Sequence, residues 1–110
     1  MLEGEMWLPD PGDPVSGVVV THPNSLRGGS MHNNTVVAIC QGLQAAGIAW
    51  LRFNFRGVGQ SEGAYTDGVE EVRDVQGALA FMGDEPRLQG APLGLAGHSF
   101  GARVSLMLQG

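Results

Sequence analysis

Ser99 is the residue whose surroundings are built for chemistry. It sits in Gly97-His98-Ser99-Phe100-Gly101, after a short apolar run at residues 93–96 and before Ala102-Arg103-Val104-Ser105-Leu106-Met107-Leu108. That order predicts a strand, a sharp turn and a helix. A serine at the top of such a turn is pushed out of the backbone path, and its hydroxyl is offered to a substrate and a base, as nucleophilic catalysis requires. Gly97 and Gly101 then stand where a side chain would strike neighbouring backbone. The same spacing recurs in Gly59-Gln60-Ser61-Glu62-Gly63, but Ala64-Tyr65-Thr66-Asp67-Gly68 follows there, which is loop chemistry. Context selects Ser99 over Ser61. A plainer reading of Ser99, as the cap of the last helix, stays open at this point.

Holding such a serine takes a sheet and helices, and the rest of the chain supplies their patterns. Residues 2–8 predict a first strand, closed by Pro9-Asp10-Pro11-Gly12-Asp13-Pro14. Residues 17–21, Gly-Val-Val-Val-Thr, predict an interior strand covered on both faces. It ends at His22-Pro23, and residues 24–32 have the composition of a functional loop. Asn33 and Asn34 offer an N-cap, Val36, Ile39, Cys40 and Leu43 follow at helical spacing, and Gly47 closes that helix. Residues 48–55 predict another strand with 56–63 as its exit loop. Asp67 and Glu70 have capping-box spacing ahead of the stripe Val72, Val75, Leu79 and Met82, which residues 83–86 end. Residues 93–96 predict the third interior strand. Strand and helix alternate, so the fold class is α/β with parallel strands, and a ligand belongs at the strand carboxyl ends, where His22, Arg56 and Ser99 lie.

Composition narrows the function classes. A chain of 110 residues suits one domain, and 43% hydrophobic with 15% charged residues excludes a disordered chain. Net charge is −5 and the basic residues are six single arginines with no lysine. No basic patch arises, so neither nucleic acid nor an anionic membrane is expected as a partner. The first residues lack the features of a signal peptide and no run approaches about 18 apolar residues, so a cytoplasmic protein is expected. Cys40 reads as a buried, inert thiol. His22, His32 and His98 share no ligand spacing, and no metal is expected. Gly57-Val58-Gly59 begins a dinucleotide-like pattern but Glu62 stands where that pattern needs glycine, and no other cofactor signal is present.

The segment Gly97 to Gly101 resembles the nucleophile elbow, G-x-S-x-G, of the α/β-hydrolase family. Arg56-Gly57-Val58-Gly59-Gln60-Ser61 is similar to the R-G-x-G-x-S loop of that family, with Arg56 and Ser61 expected to stabilise the turn. His22-Pro23-Asn24 with Gly28-Gly29-Ser30-Met31 is similar to the H-P-x-P...G-G-x-M loop of small bacterial members related to dienelactone hydrolase and serine peptidases. Ser25 stands here in place of the second proline. The resemblance implies a partial α/β-hydrolase fold, with a mostly parallel sheet, helices on both faces and an antiparallel first strand. It implies a serine hydrolase cleaving a small-molecule ester or amide through an acyl-enzyme at Ser99. The oxyanion hole would be the backbone N–H groups of Asn24 and Phe100, Pro23 having none to give. The His22 ring is expected to bond loop backbone.

In that family the acid and the histidine follow the serine in the chain. Residues 100–110 contain no Asp, Glu or His. The expectation is therefore a single domain over residues 1–110, the N-terminal portion of the fold ending just after the elbow, with the acid and base of the triad absent. His32 stays open as a substitute base, because a triad is defined by geometry; adjacent residues on a turn point apart, which argues against His98. Two rival functions also remain. One is a catalytically incomplete half that acts as a binding or assembly module, self-associating through the open sheet edge of strand 93–96. The other is a nucleotide-binding α/β domain.

Overall fold

The computed structural model describes residues 1–11, 16–97, 101 and 104. Four strands, β1 (Gly4–Trp7), β2 (Gly17–Thr21), β3 (Ala49–Phe53) and β4 (Leu93–Gly97), form one sheet in the order β1-β3-β2-β4. β1 runs antiparallel to β3, with Met6 opposite Leu51. β2 pairs in parallel with both β3 and β4. The mostly parallel sheet with an antiparallel first strand is the one expected, and β4 lies at an edge of it among the described residues.

Two helices, α1 (Asn34–Ala45) and α2 (Glu71–Gly83), cover opposite faces of this sheet. The period of two along each strand divides the core accordingly. Val19 and Leu51 join Val75, Ala78 and Met82 of α2, whereas Val20 and Trp50 join Val36 and Cys40 of α1. Cys40 is 3% exposed, and burial pushes its thiol up to about 11, which keeps it protonated and inert at neutral pH. No described helix is long and apolar enough to cross a membrane.

The ends of α1 follow from local chemistry. Asn33 is the N-cap, its Oδ1 accepting from Thr35 N at 2.9 Å and Val36 N at 3.4 Å. At the other end Gly47 adopts φ 74°, Gly47 N donates to Gln44 O and Ile48 N to Leu43 O, a Schellman closure that only an αL residue permits.

The start of α2 departs from expectation. Asp67 and Glu70 do not form a capping box: Glu70 precedes the helix without a side-chain cap bond, and Asp67 lies outside it with φ 53°. Instead Thr66 Oγ accepts from Glu70 N at 2.9 Å, and the Glu71 carboxylate reaches back to the loop. Two short 3₁₀ turns, Ser25–Arg27 and Pro86–Leu88, were not legible in the periodicity.

Sheet order and helix placement together locate a crevice. From β2 the chain leaves toward α1 on one face. Past β4, Val104 is fully buried in the cluster on the α2 face. Neighbouring parallel strands whose exits diverge to opposite faces leave an opening at their carboxyl ends, the usual ligand position in such sheets. By that rule the ligand position here is at the ends of β2 and β4.

Candidate functional site

At the end of β2 the chain is held by a buried histidine. His22 is 0% exposed, its Nε2 lies 3.0 Å from Phe55 N and its Nδ1 2.6 Å from Pro23 O. Phe55 N can only donate, so Nε2 is the bare nitrogen and Nδ1 carries the proton given to Pro23. The ring also meets Phe55 edge-on at 4.8 Å between centroids. The expected backbone-bonded role of His22 is the one found.

These contacts orient a peptide plane. Described peptide bonds are all trans, so the Asn24 N–H points to the opposite side of the Pro23–Asn24 peptide from the carbonyl that His22 holds. The Asn24 N–H makes no hydrogen bond to a described residue. Gly29 packs against the same carbonyl side: a Cβ there would strike Pro23 O and fall 2.5 Å from the Pro23 carbonyl carbon and 2.7 Å from Asn24 O, and Gly29 N donates to Asn24 O at 3.0 Å. Asn24 is half-buried at the lip of the crevice.

β4 ends at Gly97, and the backbone is helical at Gly101 and Val104. Gly101 is buried, and a Cβ on it would fall 2.5 Å from Thr21 Oγ and 2.6 Å from His22 O. The chain beyond β4 thus presses directly on the end of β2, where only glycine fits. Thr21 Oγ also donates to Ala96 O at 3.3 Å, tying the two strand ends together. Gly97, Gly101 and the Asn24 loop are therefore brought to one place. Ser99, Phe100 and His98, on which the nucleophile, the second oxyanion amide and the excluded base were read, lie outside the described residues.

The loop after β3 is structural. Ser61 is 7% exposed, accepts from Glu3 N at 2.8 Å and donates to Asn54 O at 2.7 Å, so its hydroxyl is committed twice. Arg56 grips Asp74 through its backbone N and its guanidinium, with Nη2 to Oδ1 at 2.8 Å. Both residues are structural, as expected, but their bonds reach Asp74 of α2 and Glu3 of the N-terminal segment and are not confined to the turn. No helix opens at Gly59 or Glu62, since turns and irregular backbone run to residue 70, and the dinucleotide pattern lacks the helix N-terminus that it needs.

Sequence reading missed three polar anchors around the site. Asn54, 1% exposed, accepts from Met31 N at 2.7 Å and donates to Glu3 Oε1 at 2.8 Å, linking the 24–32 loop to the N-terminal segment. Hydrogen bonds from Gln60 N and Asn54 hold the Glu3 carboxyl below its usual range. Glu71 is fully buried on loop amides. A polar residue between Phe53 and Phe55 was the available signal for Asn54. His32 is exposed and follows Met31, whose N and O are bound by Asn54 and by Arg52 of β3, on the β1 side of β2 and away from β4. An apolar cleft of about 550 Å³ between β1 and α2, lined by Leu2, Met6, Leu51, Phe53 and Phe81, contains none of the residues read as functional. Among the described residues, no group of three or more His, Cys, Asp or Glu could hold a metal ion.

A pH effect follows from His22. Burial lowers its pKa from the ordinary 6.5, the bond to Pro23 O only partly opposing this, and protonating Nε2 would also break the Phe55 bond. Below 6.5 the unfolded chain binds the proton more readily, so this contribution is complete above 6.5 and is lost as the pH falls from there. Melting temperature is expected to drop between pH about 7.5 and about 5.5, and less steeply in His22→Gln. Equal slopes in the two proteins would disprove the assignment.

Comparison with known proteins agrees with the fold. Residues 13–109 match the family model of serine aminopeptidase, S33. A solved α/β serine hydrolase homologue from Coxiella burnetii is 36% identical with a TM-score of 0.89, covering 97% of this chain and 50% of that one. A lidless serine hydrolase from Xanthomonas campestris is 42% identical with a TM-score of 0.84, covering 97% and 49%. An uncharacterized protein of Rickettsia prowazekii (strain Madrid E) is 37% identical over 99 residues, 89% of this chain and 40% of its own length. The chain spans about half the length of the solved structures that it matches.

Proposed function

The chain belongs to the S33 serine aminopeptidase family of α/β serine hydrolases, and from that premise we propose that it cleaves an ester or amide through an acyl-enzyme at Ser99. In this reading Ser99 Oγ attacks the substrate carbonyl, its proton passes to the triad base that the family places after the elbow and that residues 1–110 do not supply, and the new C–O bond forms as the carbonyl oxygen takes on negative charge. The N–H groups of Asn24 and Phe100 receive that charge. Collapse of the adduct expels the alcohol or amine, and water then releases the acid. Such donors work because they are fixed before the charge appears. The observation that supports the reading is the Pro23–Asn24 peptide, its carbonyl side held by His22 and Gly29 at the end of β2.

Mapping the adduct of a fluorophosphonate tests the reading. Modification of Ser99, abolished in Ser99→Ala, is expected. An adduct on Ser61, or none, sinks the catalytic assignment. Among the described residues β4 is at an edge of the sheet, which favours a second reading, a binding or assembly module pairing through that strand. No adduct together with concentration-dependent association in sedimentation would support it.

A further inference from the structure

Asp67 is the one non-glycine residue with left-handed backbone among the described residues, at φ 53°. Such strain persists only where the surroundings over-determine it, and it gathers at working sites. Here the surroundings are specific. The buried Glu71 carboxylate accepts from Thr66 N at 2.9 Å, from Gly68 N at 3.1 Å and from Thr66 Oγ, fixing the residues on both sides of Asp67. Asp67 Oδ1 then accepts from the Tyr65 hydroxyl at 2.9 Å. With its proton given to Asp67, the Tyr65 oxygen acts as acceptor and takes Asn24 Nδ2 at 3.2 Å. Asn24 Oδ1 takes Leu26 N at 2.8 Å, so both ends of the carboxamide are bound and its orientation is defined.

We propose that Tyr65 is a positioning residue for acyl transfer: its hydroxyl anchors the Asn24 side chain so that the Asn24 N–H faces the substrate carbonyl oxygen. The inference rests on the oxyanion reading of Asn24. His22 and Gly29 fix the carbonyl side of the Pro23–Asn24 peptide, and Tyr65 fixes Asn24 from a different loop, 41 residues along the chain. The strained turn at Asp67 is the strut that sets the Tyr65 hydroxyl. Tyr65 is itself seated against the main core, so the strut has a firm base.

The test is a double-mutant cycle on the 110-residue chain, reading the rate of fluorophosphonate modification mapped to Ser99. Tyr65→Phe keeps the ring and removes only the hydroxyl; a loss of roughly three- to tenfold is expected. In an Asn24→Ala background, which keeps the backbone N–H, the same change is expected to cost less than about twofold, because the bond it removes is already gone. Additive losses, or no loss in Tyr65→Phe alone, overturn the proposal. Absence of a Ser99 adduct in the unaltered chain overturns acylation by this chain alone instead. The anchor is then decided by amide NMR: Tyr65→Phe must shift the backbone and side-chain N–H resonances of Asn24, and unchanged resonances overturn it.

Discussion

Gly29→Ala is expected to slow acylation of Ser99 by roughly a hundredfold or more, the usual consequence of losing an oxyanion donor. The added Cβ would fall inside the contact distance of the Pro23 carbonyl carbon and of Asn24 O. Both are backbone atoms, so no flexible side chain can swing aside, and the Pro23–Asn24 peptide itself must turn or move. A displaced plane carries the Asn24 N–H with it. Overpacking of this kind also costs about 1–3 kcal/mol of stability. Gly28→Ala is the matched control. Gly28 has φ 83° but open space around a Cβ, so alanine there strains its own backbone by about 1–2 kcal/mol without pushing on Asn24. Modification rates and thermal melts of the two variants should separate: similar stability losses, a large rate loss only in Gly29→Ala. Equal rates in both would mean that the Asn24 peptide is not part of the oxyanion site.

Where the chain's signals are local, its sequence was nearly sufficient. β2 begins and ends at the predicted residues because a β-branched run between Gly17 and the His22-Pro23 break leaves little choice. α1 is bounded by Asn33 and Gly47, whose side chain and φ do what those residue types do best. The start of α2 failed for a physical reason. Thr66, Asp67, Glu70 and Glu71 offer several overlapping caps, and local spacing cannot tell which acid turns inward. Nothing in that spacing marks Glu71 for burial, yet it is 0% exposed. Asn54, Glu3 and Asp74 escaped for another reason. Their partners lie from 18 to 58 residues away, and periodicity reports which face a residue occupies but not whom it meets. The loops around the site were thus legible as composition, while the bonds that hold them were not.

Glu71→Ala is expected to lower stability by about 3 kcal/mol, because two loop N–H groups and the Thr66 hydroxyl lose their shared acceptor in a buried place. For a domain of this size the melting temperature should fall by roughly 10–20 °C. Glu71→Gln is the informative companion. The amide keeps the volume, but one of its ends is an NH₂, and every neighbouring group of the loop is itself a donor to the carboxylate. It should recover only part of the loss. The charge also sets a pH dependence. Burial alone would raise the Glu71 pKa, but the bonds from Thr66 and Gly68 outweigh it and hold the carboxyl below 4.5. Between that lowered value and 4.5 the unfolded chain binds the proton more readily, so the contribution is complete above 4.5 and is lost as the pH falls through the folded value. Denaturant melts in acid should therefore steepen in the unaltered chain relative to Glu71→Gln. If Glu71→Gln proves as stable as the parent at neutral pH, the carboxylate is not what holds the turn. The strained Asp67 beyond it, and through Tyr65 the Asn24 loop, would then need another support.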